Sequence, residues 1–514
     1  MPATARSGLF QKERAHMVAD LGFDPDSLTL PARHFIDGQL LDDPRADRIP
    51  VQRPSDRKVA GEIPLADADL VDRAVRSACG ALKTCGWARR APRERARVLM
   101  RWAALVDSHH EEISQLESVV STRLIGEARG RDVRVCAEVI RYFAEWADKS
   151  EGQVMGSPAE ALSFVLQEPY GVVAAIVPWN FPLILAAWKF APALAAGNAV
   201  VLKPSELTPF SILKVAELGV EAGLPPGLFT VVQGTGATGQ ALATHPDVAL
   251  VTFTGSTATG ARILADVAPS MKPVTLELGG KAPQLVFADA EADLDRIADL
   301  VTRGFTINAG QACYAGSRLV VQRAIKDALL SRILDRVSRL QPGATWDPAA
   351  TLAPVANERQ CARIADIVRS AVAAGASALT GGGVLQPPIG GCFYDATILD
   401  GVSTTSPAFL EEIFGPVLAV QTFDDEDEGL ALADHPTYGL TASVFTASID
   451  RALRAVRALQ AGTVWVNNFG RGDDMALPFG GYKRSGLGRE MGRIGYEKYL
   501  KTKSVWVQFN PTTA

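Results

Sequence analysis

Cysteine and histidine are scarce in this chain, with six of each among 514 residues. The cysteines stand at positions 79, 85, 136, 313, 361 and 392, without a CxxC pair or a zinc-like grouping with histidine. A long chain with so few cysteines is typical of a reduced, intracellular protein. We therefore expect neither a disulfide framework nor a metal site.

Long apolar runs and an excess of basic charge are also missing. The apolar run Gly171–Val177 ends at a proline, and no run approaches the roughly 18–20 residues that cross a bilayer. The N-terminus lacks the apolar stretch of a secretory signal. The net charge of −5 argues against nucleic acid as the main partner. These absences predict a cytoplasmic protein that acts on a small molecule, without membrane or nucleic-acid partners.

The length and the apolar pattern predict an α/β fold. A chain of 514 residues exceeds one average core, so two or more domains are expected. Strand-like apolar segments alternate with helix-like ones, which indicates parallel βαβ units. The predicted strands of this region are 171–177, 199–202, 228–232, 248–254, 274–278 and 283–287. A second αβ region follows from Leu294 to about Val466.

Cys313 is the residue most indicative of chemistry. It lies in a loop rich in glycine and alanine rather than in an apolar core run. A free thiol has a pKa of about 8.5 and needs a nearby base to act as a nucleophile at neutral pH. No histidine is an evident partner, so Glu277, in the segment LELGGK, is the candidate base. The alternative is a buried structural cysteine, which is our interpretation of the other five.

Two glycine-rich turns compete as a phosphate-binding site. The turn with Gly234, Gly236 and Gly239 matches GxGxxG after a strand, but no acidic residue follows at the required distance. The turn Gly255–Gly260, which contains Ser256, also follows a strand and opens a helix, whose N-terminus favours an anion. The alternatives are tight-turn glycines in the first case and a simple helix cap in the second.

Three polar side chains near strand ends suggest further contacts. Glu206, in KPSE, can accept hydrogen bonds from two ribose hydroxyls and would repel a 2′-phosphate, which favours NAD over NADP. Asn180, in PWNFP, offers the NH₂ donor that an oxyanion hole requires. Glu412, beside Glu411, could hold a second ribose. The alternatives are a helix-start cluster, a turn asparagine and a solvated acidic face.

Taken in order, these motifs resemble the aldehyde dehydrogenase superfamily. PWNFP, KPSE, FTGST, LELGGK, GQxC, EEIFGPV and PFGGYKRSG follow one another at the family's spacings, over roughly residues 34–510. Each motif alone is modest, but the ordered set is specific. The chain resembles the NAD(P)-dependent, non-acylating members, and the bacterial γ-glutamyl-aminobutyraldehyde and broad-specificity enzymes among them.

The resemblance implies the chemistry. Cys313 would attack the aldehyde carbon, while the Asn180 amide and the backbone N–H of Cys313 would hold the oxyanion. Hydride would pass to NAD, and Glu277 would activate the water that hydrolyses the thioester. Members that transfer the acyl group to coenzyme A generally lack this glutamate, so its presence favours a free acid as product. The residues expected to contact or support NAD are Trp179, Lys203, Ser205, Glu206, Gly236, Gly255, Ser256, Gly260, Gly279, Glu412 and Phe414.

Alignment with the family also implies a substrate tunnel, whose wall is mainly apolar and aromatic and suits aromatic or medium aliphatic aldehydes. Its predicted residues are Val135, Phe181, Ile184, Trp188, Ile307, Tyr314, Asp473 and Phe479. The segment GDDM resembles members that act on ω-amino aldehydes, in which Asp473 or Asp474 could attract an ammonium group. The alternative there is a solvated loop. A Gly-Lys-Pro that many members carry near the tunnel mouth is absent from residues 117–125.

The family fold implies three parts. A Rossmann-like, parallel-sheet cofactor domain would comprise residues 1–149 and 170–279, and an αβ catalytic domain residues 280–485. A small β flap, residues 150–169 and 486–514, would join subunits into a homodimer or homotetramer. Two rival hypotheses are a CoA-acylating semialdehyde dehydrogenase and a non-catalytic protein that kept the fold.

Overall fold

Two sheets of mainly parallel strands organise the molecule, in a computed structural model that describes residues 22–470 and 474–509. Within those residues the first sheet has eight strands, in the spatial order Gln39–Leu41, His34–Ile36, Phe229–Val231, Ala199–Lys203, Val172–Ile176, Val248–Thr254, Val274–Glu277 and Gly486–Leu487. The five strands from Phe229–Val231 to Val274–Glu277 run parallel. The three outer strands run antiparallel to their neighbours.

The second sheet is also mainly parallel and is formed by strands between Pro283 and Val466. Its seven strands in the described ranges are ordered Ser377–Thr380, Thr397–Asp400, Val417–Phe423, Arg318–Gln322, Pro283–Val286, Thr441–Phe445 and Thr463–Val466. All of its pairings are parallel except the one between its first two strands. The fold class predicted from the alternating pattern, α/β with parallel sheets, is confirmed.

Helices cover the sheets and connect their parallel strands. The α-helices are Ala68–Cys85, Pro92–Ser108, His110–Val120, Ile125–Glu127, Val133–Trp146, Pro182–Ala195, Ser211–Glu221, Gly236–Thr244, Thr257–Val267, Leu294–Thr306, Lys326–Val337, Glu358–Ala373, Pro407–Leu410, Glu426–Ala433, Ile449–Ala458 and Gly492–Glu497. A π-helical turn, Ala128–Asp132, precedes Val133–Trp146. Aromatic contacts join helices to the first sheet, since the Trp102 ring lies 4.9 Å from that of Phe190 and 5.6 Å from that of Phe229. No helix in the described ranges combines the length and apolar character needed to cross a membrane.

A third, smaller sheet has three strands in the described ranges. Leu500–Gln508 pairs antiparallel with Ala161–Pro169, which in turn pairs with Gln153–Val154. This three-stranded unit is called the flap below. The segment 486–514, predicted to belong to the flap as a whole, starts instead with Gly486–Leu487, which pairs with the first sheet. Three two-stranded antiparallel pairs complete the strands: Arg48–Gln52 with Val59–Pro64, Val384–Leu385 with Phe393–Tyr394, and Tyr438–Gly439 with Tyr482–Lys483.

The parallel arrangement brings several sequence motifs to one edge. In the register of the first sheet, Ile176 lies beside Lys203, and Thr254 beside Glu277. These residues end their strands, so the segments that follow them gather at the carboxyl edge of the sheet. This edge is where open parallel sheets bind ligands.

Candidate active site

The loop that carries Cys313 has an unusual backbone. Three consecutive residues before it, Asn308, Ala309 and Gly310, have positive φ angles of 49°, 52° and 72°. Such angles are disfavoured for residues with a Cβ and persist only where the surroundings enforce them. Gly310 is required here, because an added Cβ would lie 2.0 Å from the carbonyl oxygen of Gly415. The loop therefore holds Cys313 in a position set by its packing.

Side-chain amides attach this loop to the segment that follows the strand Val172–Ile176. Asn308 donates from Nδ2 to the Asn180 carbonyl at 2.9 Å, and Asn180 donates from Nδ2 to the Gln311 carbonyl at 3.0 Å. Asn180 is buried, and its NH₂ carries a second donor besides the one that Gln311 accepts. The amide of Asn180 and the thiol-bearing loop are thus fixed relative to each other.

Cys313 lies where two cavities meet. One cavity has a volume of about 400 Å³ and the other about 510 Å³, and Cys313 is the one described residue that lines both. Burial raises the pKa of its thiol, and the negative charges of Glu412 and Glu277 raise it further. The thiol is therefore neutral in this environment and needs a proton acceptor before it can attack.

Glu277 ends its strand close to this thiol and is itself buried. Neither of its carboxyl oxygens has a hydrogen-bond partner among the described residues. Burial raises the pKa of Glu277 well above its usual range, and the charge of Glu490 raises it further. The carboxyl group lies against Gly480 and is not among the residues that line the two cavities. In this conformation the carboxyl group therefore lies outside both cavities.

Glu490 keeps its own charge because two lysines hold it. Lys189 and Lys498 place their Nζ atoms 2.5 Å and 3.3 Å from its Oε1. Burial alone would raise the pKa of Glu490, but these cations outweigh it, and the pKa is lowered. An ionised Glu490 next to Glu277 therefore favours the protonated form of Glu277.

The larger cavity is lined by six of the eleven residues expected to contact or support NAD, together with Asn180 and Cys313. Those that line it are Trp179, Asn180, Gly255, Ser256, Gly279, Cys313, Glu412 and Phe414. Further lining residues are Pro178, Thr254 and Leu278, which lie within the motifs but were given no role, and Ala258, Arg359, Gln360 and Arg363, which lie outside them. Ser256 caps the helix Thr257–Val267 by accepting from the Thr259 N–H. The Gly280 N–H donates to Glu412 Oε1 at 3.2 Å, and burial raises the pKa of Glu412 to about 7.

Glycines allow this cavity to form. An added Cβ at Gly279 would lie 2.2 Å from Glu412 Oε2, and one at Gly260 would lie 2.6 Å from Leu278 Cδ2. Gly260 therefore supports the wall through the packing of Leu278 rather than by lining the space itself. Phe414 has a φ of 57°, and its ring lies 5.4 Å from that of Trp179.

The residues predicted at the adenosine end lie on neighbouring strands of the same edge. Lys203 ends its strand and pairs with Glu206 at 3.1 Å, and burial lowers the pKa of Lys203. Ser205 accepts from the Leu207 N–H at 3.3 Å. Gly236 begins the helix Gly236–Thr244. The first turn of this helix lies next to Lys203, since an added Cβ at Gly239 would lie 3.9 Å from Lys203 Cδ. Lys203, Ser205, Glu206 and Gly236 do not line the 510 Å³ cavity.

The smaller cavity contains six of the eight predicted tunnel residues: Phe181, Ile184, Trp188, Ile307, Tyr314 and Phe479. Val135 is not among them, because this residue of the helix Val133–Trp146 is buried in the hydrophobic core. The preceding π-helical turn changes which positions face the cavity, so that Arg131 and Arg134 line it instead. Asp473 lies outside the described residues. Asp474 accepts from the backbone N–H groups of Ala476 and Leu477 at 2.9 and 3.3 Å.

Sequence reasoning missed much of this wall. The additional lining residues are Gly130, Arg131, Arg134, Leu185, Arg303, Trp465, Asn468, Phe469 and Gly470. Trp465 and Phe469 extend the aromatic surface, with ring centroids 6.3 Å and 6.0 Å from that of Tyr314. Their position just before the predicted tunnel residue Asp473 was an available signal. The arginines lie in helical segments whose sequence pattern did not indicate that they face a cavity.

A buried ion pair supports the wall from behind, in the region where the Gly-Lys-Pro is absent. Arg123 donates to Asp132 from Nε at 2.6 Å and from Nη2 at 3.2 Å, and both side chains are fully buried. The Arg123 guanidinium also lies 4.4 Å from the centre of the Phe181 ring. This pair therefore helps to orient an aromatic residue of the cavity.

Known proteins resemble this chain in sequence and fold over nearly its whole length. The aldehyde dehydrogenase family model matches residues 42–505. A betaine aldehyde dehydrogenase of Cereibacter sphaeroides is 40% identical over 483 residues, covering 94% of this chain and 98% of the relative. The crystal structure of a γ-glutamyl-γ-aminobutyraldehyde dehydrogenase from Burkholderia cenocepacia superposes with a TM-score of 0.92 at 41% identity, covering 95% of this chain and 98% of the other. An indole-3-acetaldehyde dehydrogenase in complex with NAD+ superposes with a TM-score of 0.91 at 38% identity, covering 97% and 99%.

Proposed function

The chain belongs to the aldehyde dehydrogenase family, and on that premise we propose that it oxidises an aldehyde to a carboxylic acid with NAD through a thioester on Cys313. The observation that carries this proposal is the position of Cys313 between two cavities. A nucleophile at such a junction can meet a substrate from one side and a cofactor from the other. The smaller cavity would hold the aldehyde, and the larger one the nicotinamide.

The residues of the larger cavity fit NAD. The buried hydroxyl of Thr254, on its wall, has no hydrogen-bond partner among the described residues and offers a donor to a polar ligand. Glu412 can accept from one ribose and Glu206 from the other, and the start of the helix at Ser256 favours the pyrophosphate. When bound, NAD accepts the hydride that leaves the aldehyde carbon.

The protein's own groups would carry the remaining chemistry. The Cys313 sulfur bonds to the aldehyde carbon while its proton leaves to a base, and the oxygen gains negative charge. The second N–H of the Asn180 amide and the backbone N–H of Cys313 stabilise that oxygen. Loss of hydride from the same carbon leaves the thioester.

Glu277 is the base that we assign to hydrolysis of the thioester. Its raised pKa keeps it protonated at low pH, and it becomes an effective base as the pH rises. In that form it takes a proton from water while the water oxygen bonds to the thioester carbon. The carbon–sulfur bond then breaks, and Cys313 leaves as a thiolate. A CoA-dependent enzyme would have no use for this group, so we expect turnover without coenzyme A.

The substrate body that suits the smaller cavity is aromatic or medium aliphatic. Six aromatic side chains line that space: Phe181, Trp188, Tyr314, Trp465, Phe469 and Phe479. Aromatic rings contribute large contact areas with defined geometry. The names of two relatives point instead to cationic or amino-derived aldehydes, and the alternative is therefore an ω-amino aldehyde.

We also propose that the flap joins subunits into a homodimer or homotetramer. Trp506 and Val154, on its strands, are 59% and 76% exposed in the single chain. Apolar side chains of this size on a protruding sheet favour association with a second copy.

The test is NADH formation from a panel of aldehydes, with NAD or NADP and without coenzyme A. Absorbance of NADH with neutral aromatic or aliphatic aldehydes is the expected result. Turnover that depends on coenzyme A would replace the hydrolytic mechanism with acyl transfer. Tight NAD binding without turnover of any aldehyde would contradict the proposed activity.

A further inference from the structure

Arginines line the smaller cavity from two sides. Arg131 belongs to the π-helical turn Ala128–Asp132, and Arg303 to the helix Leu294–Thr306, which packs against the second sheet. They reach the cavity from parts of the chain that are far apart in sequence. Arg134, at the start of the helix Val133–Trp146, lines the cavity beside Arg131, so three arginines converge on this largely aromatic space. Such a concentration of positive charge calls for an explanation in terms of what it binds.

Arg131 is only partly exposed and has no carboxylate within ion-pair distance among the described residues. Its Nη1 lies 3.5 Å from the Tyr314 hydroxyl, and its guanidinium lies 5.7 Å from the centre of the Phe181 ring. The neighbouring Asp132 is already engaged by two nitrogens of Arg123. Arg131 therefore keeps its positive charge and free N–H donors beside two aromatic cavity residues.

Arg303 is more exposed to solvent than Arg131. Asp299, one helical turn earlier, accepts a hydrogen bond from Arg336, and in the described part of the chain no carboxylate pairs with Arg303. Arg303 lines both the smaller cavity and an adjoining one of about 320 Å³. The adjoining space allows this side chain to approach a ligand that extends outward from Cys313.

The described part of the same wall carries no acidic side chain to balance these arginines. Among the described lining residues there is no aspartate or glutamate. Asp474, the described member of the acidic pair considered for an ammonium group, uses its Oδ1 to accept from two backbone N–H groups. The charged side chains in the described part of the wall are thus all positive, which favours an anion over a cation, and the aromatic lining separates that charge from the thiol.

We propose, on the premise of the activity inferred above, that the substrate is an aldehyde whose far end carries a carboxylate, on an apolar and preferably aromatic body. The aldehyde lies at Cys313, the body packs among the aromatic rings, and the carboxylate accepts hydrogen bonds from Arg131 and Arg303. Guanidinium groups match carboxylates geometrically and stay charged at all relevant pH values. The product is then a dicarboxylic acid.

The first experiment compares kcat/KM for 4-carboxybenzaldehyde with that for 4-formylbenzamide, its uncharged amide of similar shape, and for betaine aldehyde. We expect the carboxylate to be preferred over the amide by roughly 10- to 100-fold, as for a charged hydrogen-bonded pair. Equal or better turnover of the amide, or a preference for betaine aldehyde, would overturn the proposal while leaving aldehyde oxidation intact.

Variants then test the named residues. Arg131→Gln and Arg303→Gln should each reduce the preference for the carboxylate over the amide by about tenfold. Arg457→Gln, on the exposed face of the helix Ile449–Ala458, removes the same charge at a distance from the cavity and should leave that preference unchanged. Parallel losses for both substrates in the Arg131 and Arg303 variants would mean a structural role only.

Alkylation of Cys313 provides a measurement that does not depend on turnover. The ratio of its rates with iodoacetate and iodoacetamide, followed by peptide mass spectrometry, reports the local preference for an anion. The double variant Arg131→Gln/Arg303→Gln should lower this ratio several-fold, and Arg457→Gln should not. An unchanged ratio in the double variant would contradict an anion-attracting cavity, even if no aldehyde were oxidised.

Discussion

The two cavities that meet at Cys313 are built by different means. The larger one follows the ends of parallel strands, and several of its walls require glycine: an added Cβ at Gly255 would lie 2.4 Å from the Phe253 ring. The smaller one is closed by side chains from helices and loops that are remote in sequence, such as Arg131 and Trp465. Backbone geometry therefore determines the first cavity, whereas side-chain identity determines the second. Substitutions in the walls of the larger cavity should therefore abolish cofactor binding. Substitutions in the smaller cavity should instead change which aldehyde is preferred.

Cys313→Ala removes the group that both cavities share, and we expect the largest effect from it. Turnover should fall by roughly 10⁴-fold or more, because no other group can form the thioester. NAD affinity should remain within about twofold, since the cavity wall is otherwise intact. Steady-state NADH formation and NAD titration measure the two effects, with Cys79→Ala as a control at a cysteine outside the cavities. Retained turnover in Cys313→Ala would rule out its role as nucleophile.

Glu277→Gln should affect the second half of the reaction. Steady turnover should fall by roughly 10²–10⁴-fold, the usual contribution of a general base, while the initial burst of NADH persists. Because the pKa of Glu277 is raised, the wild-type steady rate should increase with pH as this group loses its proton, and the variant should lack that increase. Burst kinetics across a pH series provide the measurement. An unchanged steady rate would show that another base acts.

Asp132→Asn should separate the two cavities. It leaves the buried Arg123 with the partly exposed Glu127 as its remaining ion-pair partner, and breaking a buried pair costs roughly 3–5 kcal/mol of unfolding free energy. Because Arg123 lies over Phe181, KM for aromatic aldehydes should rise while NAD affinity stays unchanged. Thermal unfolding and the two affinities measure this. Asp295→Asn, at an exposed pair, should change stability by no more than about 0.5 kcal/mol.

Glu206→Gln should produce the smallest effect, a change of cofactor preference. Glu206 is paired with Lys203, and loss of its charge removes the repulsion of a 2′-phosphate. The ratio of kcat/KM for NADP to that for NAD should rise by about tenfold. Glu221→Gln, on the exposed end of the helix Ser211–Glu221, is the matched control. The same ratio in both variants would assign cofactor choice to other residues.

The larger cavity, which depends on backbone geometry, was better predicted from the sequence than the smaller one, which depends on side-chain identity. The strand Val248–Thr254 and the helix start at Ser256 carry local signals, an apolar run and a helix cap, and both lie where the pattern indicated. Glu277 and Cys313 lie in segments set by close glycine packing, which leaves a recognisable motif. These features depend on neighbours along the chain, so one sequence is enough to identify them.

The substrate wall depends on neighbours in space. Val135 was predicted to line the tunnel by alignment with the family, but in this structure Arg131, in the π-helical turn just before it, lines the cavity and Val135 does not. A single wide turn of this kind has no clear sequence signal. Arg303 belongs to a helix whose opposite face is core, and only the packing of the two sheets reveals what it faces. For that reason the aldehyde could not be named from the motifs.

The central claim, that Cys313 becomes acylated between the two cavities, is tested most directly in Glu277→Gln. The variant is mixed with NAD and an aldehyde that the wild type oxidises, quenched with acid within the burst, digested and analysed by mass spectrometry. The account predicts one acyl group on the Cys313 peptide for each NADH formed. NADH without an acylated Cys313, or an acyl group on another residue, would contradict it.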